Sequence, residues 1–181
     1  PLQEGLRLVH NPLVGAGLRD RIRIGCAGKV VSAFDIARAM ALGADWCNSA
    51  RGFMMALGCI QAQACHTGHC PTGVTTQDPQ RQKALDVGNK TQRVLNFHQH
   101  TLDALQELVQ AAGLTHPNQI SPTHIVRRID GQNVSQLDRL LPRVAPAALL
   151  ADAASLAPNH ALHPVFRLYQ PPANPRRFRA P

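Results

Sequence analysis

The chain has 181 residues, 44% of them hydrophobic but only 4% aromatic, so it is long enough for a sizeable core that aliphatic side chains and alanine must fill. Lys and Arg number 19 against 11 Asp and Glu, a net charge of +8, but the excess is spread thinly. Its one dense cluster is Pro-Arg-Arg-Phe-Arg at residues 175–179, without the interleaved aromatics of a base-stacking platform, which argues against a nucleic-acid binder.

Pro1 stands where an initiator methionine would, and the chain opens directly into a helical pattern carrying Leu6, Val9, Leu13 and Leu18. A processed chain or a piece of a longer protein is therefore expected. The β-branched alternation of Arg21 to Gly25 reads as a short strand, and "GCAGK" follows it as a tight turn. A helix follows over "SAFDIARAMALGA", with Ser32 as N-cap, Asp35 three residues on in capping-box fashion, and Gly43 as its stop. Asp45 to Ala50 makes a second short strand, and "RGFMMALGC" a brief helix. Strand, loop, helix and strand with short connections are consecutive β/α units. Two strands alone do not make a stable sheet, so either the rest of the barrel or sheet is expected upstream or the fold is unusual.

Beyond the cysteines, Val94, Phe97, Leu102, Leu105, Leu108, Val109 and Ala112 recur at three-to-four spacing. They predict a long amphipathic helix ending at Gly113. "SPTHIVRRI" and "VSQLDRLLPRV" read as two more short helices. From Ser155 on there are six prolines, four arginines and no acid, an extended or disordered tail. No run of about 18 apolar residues occurs, so no spanning helix is expected, and no secretory signal is visible. That points to the cytoplasm.

Five cysteines is an odd number, which rules out a fully paired disulfide framework in a monomer. In a reducing compartment, clustered cysteines bind metal or do redox chemistry more often than they pair. Cys26 and Cys47 fall on or beside predicted strands and read as small core residues. Cys59, Cys65 and Cys70 do not: they lie in a polar loop, "CIQAQACHTGHC", spaced C-x5-C-x4-C and followed by Pro71. Zinc with His66 or His69 as a fourth ligand is one reading, although structural zinc sites favour closer pairs. An iron–sulfur cluster, whose ligands reach different irons, tolerates these gaps, and three thiolates suit a three-iron cluster. Redox or packing thiols are the third reading.

Two strand ends are candidates for phosphate. "GCAGK" offers Gly28, where a backbone can approach a ligand closely, and Lys29 for charge; "NSARG" leads into a helix with Ala50 and Arg51 at its start. Two such ends in succession are how many (β/α)8 barrels build a phosphate site after their last strands. His98, His100, His116, His124, His160 and His163 have no carboxylate or cysteine at matching spacing and read as surface residues. No Ser/His/Asp or paired-carboxylate set is present, so no catalytic residue is assigned.

From "GLRDRIRIGCAGK" through "ALGCIQAQACHTGHCPTGVTTQDP", and on to "NFHQHTLDALQELVQAAGL" and "HIVRRI", the chain resembles the FMN-binding synthase domain of the glutamate synthase family. The cysteine spacing joined to Cys70–Pro79, "CPTGVTTQDP", is the most specific part. The resemblance implies that residues 1–150 are the C-terminal part of a (β/α)8 barrel with FMN at its mouth, followed by a tail over 151–181. It implies that Gly28, Lys29, Ala50 and Arg51 hold the FMN phosphate and that Cys59, Cys65 and Cys70 hold a three-iron four-sulfur (3Fe-4S) cluster. The implied reaction is reductive amination of 2-oxoglutarate to glutamate from an ammonia source. The implied electron donor is ferredoxin or a pyridine-nucleotide-oxidising subunit. The sequence departs from related FMN barrels at Lys29, where a second glycine is usual, and at Ala50-Arg51, where Gly-Thr is frequent. Strands that would carry flavin-ring and substrate contacts are not in this chain, so the piece alone is expected to be inactive. The rival reading is a metal-stabilised interaction module without catalytic activity, which would have no use for FMN.

Overall fold

A computed structural model describes residues 2–141 and 143–151. The tail expected over 151–181 lies outside them but for Ala151. In chain order the elements are helix α1 (Leu2–Gly15), a 3-10 turn (Arg19–Arg21), strand β1 (Gly25–Ala27), helix α2 (Ala33–Ala41) and strand β2 (Trp46–Asn48). Then come α3 (Ala50–Ala56), α4 (Pro79–Gln82) and the 25-residue α5 (Val87–Ala111). Two 3-10 turns, strands β3 (Val126–Arg128) and β4 (Val134–Gln136), and short helices α6 (Leu137–Leu140) and α7 (Ala148–Ala151) complete the described chain. It is a mixed α/β protein with two two-stranded sheets, β1-β2 and β3-β4, among the described residues.

The chain divides into two compact units. One comprises Pro1–Cys26, Arg38–Trp46 and the chain from Asn118; the other comprises Ala27–Ala37 and Cys47–Pro117. In the first, Leu6, Ile24, Cys26, Leu42, Ile120, Leu137 and Leu149 are buried, an aliphatic core as the composition requires. Its polar centre is Asp45. The Asp45 carboxylate accepts from Arg19 Nη2 at 2.8 Å and from the Ile24 amide at 2.6 Å. Burial pushes this carboxyl up, but those bonds and the Arg19 charge hold it below its ordinary value. The same interaction explains why β1 begins at Gly25 and not at Arg21: the Asp45 side chain has taken the Ile24 N–H that a ladder would need.

The two short helices expected near the C-terminal end are instead a turn, a hairpin and a single helical turn. Pro122–His124 is a 3-10 turn boxed by Ser121 and His124. Val126–Arg128 then pairs antiparallel with Val134–Gln136, Val126 opposite Gln136. Asp130 Oδ1 accepts from the backbone amides of Gln132 and Asn133, 2.9 Å each, and closes the hairpin. A β-branched residue ahead of an Asp-Gly turn outweighed the weak helical spacing.

In the second unit α3 packs on α5. Phe53 and Phe97 meet edge to face with centroids 5.1 Å apart. A side-chain carbon on Gly52 would lie 2.6 Å from Phe97 Cζ, so the glycine is what lets the helices close. The long helix begins on an Asp86 cap, whose carboxylate accepts from Asn89 N, and stops at Gly113 as the sequence predicts.

Candidate functional site

The loop after β1 turns through Gly28 (φ 146°) and Lys29 (φ 55°). Lys29 thus occupies the left-handed region that glycine enters without cost. The α2 start that follows is sealed by its own capping box. Asp35 Oδ2 accepts from the amides of Val31 and Ser32 and from Ser32 Oγ, and the Asp35 amide returns a bond to Ser32 Oγ. Within α2 the box takes the Asp35 amide alone; Val31 and Ser32 lie ahead of the helix.

The start of α3 differs. Ser49 is its N-cap residue, yet the hydroxyl donates to Val30 O at 2.8 Å and makes no cap bond. Ser49 therefore ties the loop after β2 to the loop after β1 and leaves the first α3 amides, at Ala50 and Arg51, without a side-chain acceptor. Lys29 and Arg51 are both exposed and without hydrogen-bond or ionic partners among the described residues. Of the four sequence-predicted phosphate residues, Gly28 and Lys29 lie in the loop after β1, and Ala50 and Arg51 in the first turn of α3.

Seven residues of α3, about 10 Å of helix at 1.5 Å per residue, separate this place from the cysteine loop. The helix ends in a Schellman motif: Gly58 N bonds Met55 O at 2.9 Å and Cys59 N bonds Met54 O at 3.0 Å. Cys59 is thereby fixed to the helix end by its own amide. From there the chain has no regular structure until α4, and side chains hold it. Thr67 Oγ1 donates to Ala64 O and accepts from His69 N. Thr76 Oγ1 donates to Gly68 O, and Gln82 Nε2 donates to Thr76 O. Arg81 Nη1 reaches His69 O at 3.2 Å.

Cys59, Cys65 and Cys70 line one pocket of about 300 Å³, part of it open to solvent, together with Met54, Ile60 and Thr75. The three thiols are free; Cys65 is exposed and Cys70 buried. Cys70 Sγ lies 3.4 Å from Thr72 Oγ1. Hydrogen bonds to sulfur, led by that hydroxyl and followed by the Thr75 and Thr72 amides, pull the Cys70 pKa from 9.0 down to about 6 against the opposing effect of burial. Thr75 Oγ1 is buried and has no partner of good geometry; its own contribution to the Cys70 sulfur is the smallest. Among the described residues no three His, Cys, Asp or Glu side chains converge as a single-ion site requires. His66 and His69, the possible fourth zinc ligands, are exposed. Sequence reasoning did not single out Thr72, Thr75 or the Arg81 and Gln82 braces. The available signal was the Asp78-Pro79 pair, a helix start directly behind the loop, with threonines crowded before it.

Among the described residues no helix is long and apolar enough to cross a membrane. Residues 1–115 match the model of a family described as a conserved region in glutamate synthase. A glutamate synthase large subunit-like protein of Bacillus subtilis, YerD, is 41% identical over 141 residues, 78% of this chain and 27% of that protein. The archaeal glutamate synthase [NADPH] of Methanocaldococcus jannaschii is 35% identical over 114 residues, 63% of this chain and 22% of that protein. The glutamate synthase [NADPH] large chain of Bacillus subtilis is 32% identical over 143 residues, 76% of this chain and 9% of that protein. The chain spans about a quarter or less of the length of these relatives. It belongs to the glutamate synthase family.

Proposed function

We propose that this chain is the C-terminal part of the (β/α)8 barrel of a cytoplasmic glutamate synthase-type oxidoreductase, with residues 1–150 as barrel and the following helices and 151–181 as its tail. The gathering of three family-spaced cysteines on one pocket, one helix away from two stitched phosphate-type loops, carries this reading. The reaction is reductive amination of 2-oxoglutarate to glutamate from an ammonia source. Electrons come from ferredoxin or a pyridine-nucleotide-oxidising subunit.

The residues suit both groups. Cys59, Cys65 and Cys70 would hold the three-iron four-sulfur cluster. Metals bind thiolate, and Cys70 is held in that form by its threonine neighbours at neutral pH. The buried Thr75 hydroxyl, unpaired by protein, is a further donor toward sulfur. Cys ligands of a cluster reach separate irons, so they need not converge as a single-ion site demands. Gly28, Lys29, Ala50 and Arg51 would hold the FMN phosphate. The uncapped α3 amides and the two unpaired cations offer hydrogen bonds and positive charge to a dianion. Bound FMN supplies hydride chemistry and the cluster supplies one-electron relay. This chain keeps the two candidate sites about one short helix apart. Substrate contacts belong to strands outside it, and the 181-residue piece by itself is expected to form no glutamate.

The test is low-temperature EPR of the oxidised full-length gene product, prepared without oxygen, together with flavin analysis. A near-free-electron signal that vanishes in Cys65→Ser, with FMN bound, is the expected result. Zinc or no metal in the loop, with no flavin, overturns the reading in favour of a docking module.

A further inference from the structure

Lys90 and Arg93 stand one turn apart on α5, and Phe97 completes the same face at the i, i+3, i+7 spacing. The Phe97 contact with Phe53 and Gly52 fixes that face against α3. The two helices run in opposite senses, so the contact that seats Phe97 near the α3 start brings Lys90 and Arg93 to its end. A side-chain carbon on Gly58 would lie 3.0 Å from Lys90 Nζ and 4.0 Å from an Arg93 guanidinium nitrogen. Gly58 directly precedes Cys59, the first cysteine of the loop. Neither cation has a carboxylate or hydrogen-bond partner among the described residues. Arg81, which does bond this loop at His69 O, is by contrast paired with Asp78 at 3.4 Å.

We propose that Lys90 and Arg93 set the reduction potential of the cluster held by the Cys59 loop, raising it by favouring the more negative, reduced state. The inference rests on the cluster reading given above. Three thiolates and inorganic sulfide make the cluster an anion, and one-electron reduction adds a further negative charge. Cations within roughly 10 Å favour the reduced form, the half-buried Lys90 less screened by solvent than the exposed Arg93, and net charge around a cluster is among the determinants of its potential. A purely structural role would have the two cations complement the carbonyls at the end of α3. That role would alter stability and leave the potential where it was.

The experiment is an EPR-monitored redox titration of the full-length gene product, wild type against Lys90→Met, Arg93→Met, the double variant and Lys90→Arg. Each single loss of charge is expected to lower the equilibrium constant for reduction about threefold, and the double variant about tenfold, which is about 59 mV for a one-electron couple. Lys90→Arg restores the wild-type value. An unchanged potential in variants that carry the cluster overturns the inference, whatever happens to their melting temperature. Should Lys90→Met fail to fold, Arg93→Met, the more exposed position, decides by itself. A wild-type protein with no cluster signal refutes the reading of the loop instead, and the inference falls with it.

Discussion

Gly73 is the residue whose replacement the geometry of the cysteine loop forbids most clearly. It has φ +77°, and a side-chain carbon there would press into the Arg81 carbonyl, a backbone group that cannot rotate aside. Gly68, five residues earlier in the same loop, has φ +74° and open space where its side chain would be. The pair separates two costs. Forcing alanine into the left-handed region costs about 1–2 kcal/mol, offset by about 0.4–1 kcal/mol from the stiffer unfolded chain. Gly68→Ala should thus lose about 1 kcal/mol. Gly73→Ala adds an overpacking term of about 1–3 kcal/mol, because Arg81 is anchored in α4 and its guanidinium is bonded to His69 O. It should lose about 2–4 kcal/mol. Urea unfolding of both variants in metal-free protein, with equal m-values as the check on comparable end states, measures the difference. Equal losses in the two variants would refute the argument that the Gly73 site is closed by α4.

Other outcomes follow from single contacts. Thr72→Val removes the largest of the bonds that lower the Cys70 pKa, so its alkylation by iodoacetamide at pH 7 in metal-free protein should slow severalfold; an unchanged rate contradicts the thiolate assignment. A pKa of about 6 leaves roughly ten thiolates per thiol at that pH, against about one per hundred at 9.0. Lys29→Gly relieves a left-handed φ of 55° and should raise stability by up to about 1 kcal/mol, while weakening FMN binding by isothermal titration; stronger flavin binding would dismiss Lys29 as a phosphate contact. His10 is held neutral, its pKa lowered to about 4 by burial and then by the Arg7 and Arg19 charges, and its Nδ1 accepts from Arg19 Nε at 3.1 Å. Between pH 6.5 and about 4 the unfolded chain then binds the proton that the folded chain refuses, so stability should fall as pH falls through that window; His10→Gln should flatten the fall in denaturation midpoints.

The elements that carry the site were largely legible because their signals are local. Ser32 with Asp35, the stop at Gly113 and the brief helix after Ala50 depend on caps and spacing within a few residues, and all three occur as read. The failures involve partners distant in sequence. Nothing around Arg21 announces that Asp45, more than twenty residues on, will take the Ile24 amide and move the strand start. The hairpin of Val126–Arg128 with Val134–Gln136 needed cross-strand pairing to outweigh a helical spacing. The redirected Ser49 hydroxyl reads as an ordinary cap until Val30 is seen beside it. The amphipathic stripe of α5 was correctly periodic, yet only Val109 of it is buried, while Leu102 and Leu108 remain 45% and 36% exposed. Periodicity identifies a face; it does not say how much of it this chain covers.

The redirected Ser49 explains a feature of the motif that composition cannot. A serine before a helix usually satisfies that helix's own amides, as Ser32 and Asp35 do for α2. An anion site at the α3 start requires the opposite: the amides must stay open while the loop stays fixed. Donating to Val30 O meets both conditions with one hydroxyl, since it immobilises the turn through the neighbouring loop. At the other end of the same seven-residue helix, the Schellman bonds fix Cys59 without using its sulfur. Both ends of α3 are thus tied without engaging the Ala50 and Arg51 amides or the Cys59 sulfur, which accepts instead from Gln61 N at 3.4 Å. A helix this short has little stability of its own; its rigidity comes from those two ties and from Phe97 against Gly52. About two turns of braced helix thus set the distance between the loop after β2 and the cysteine loop.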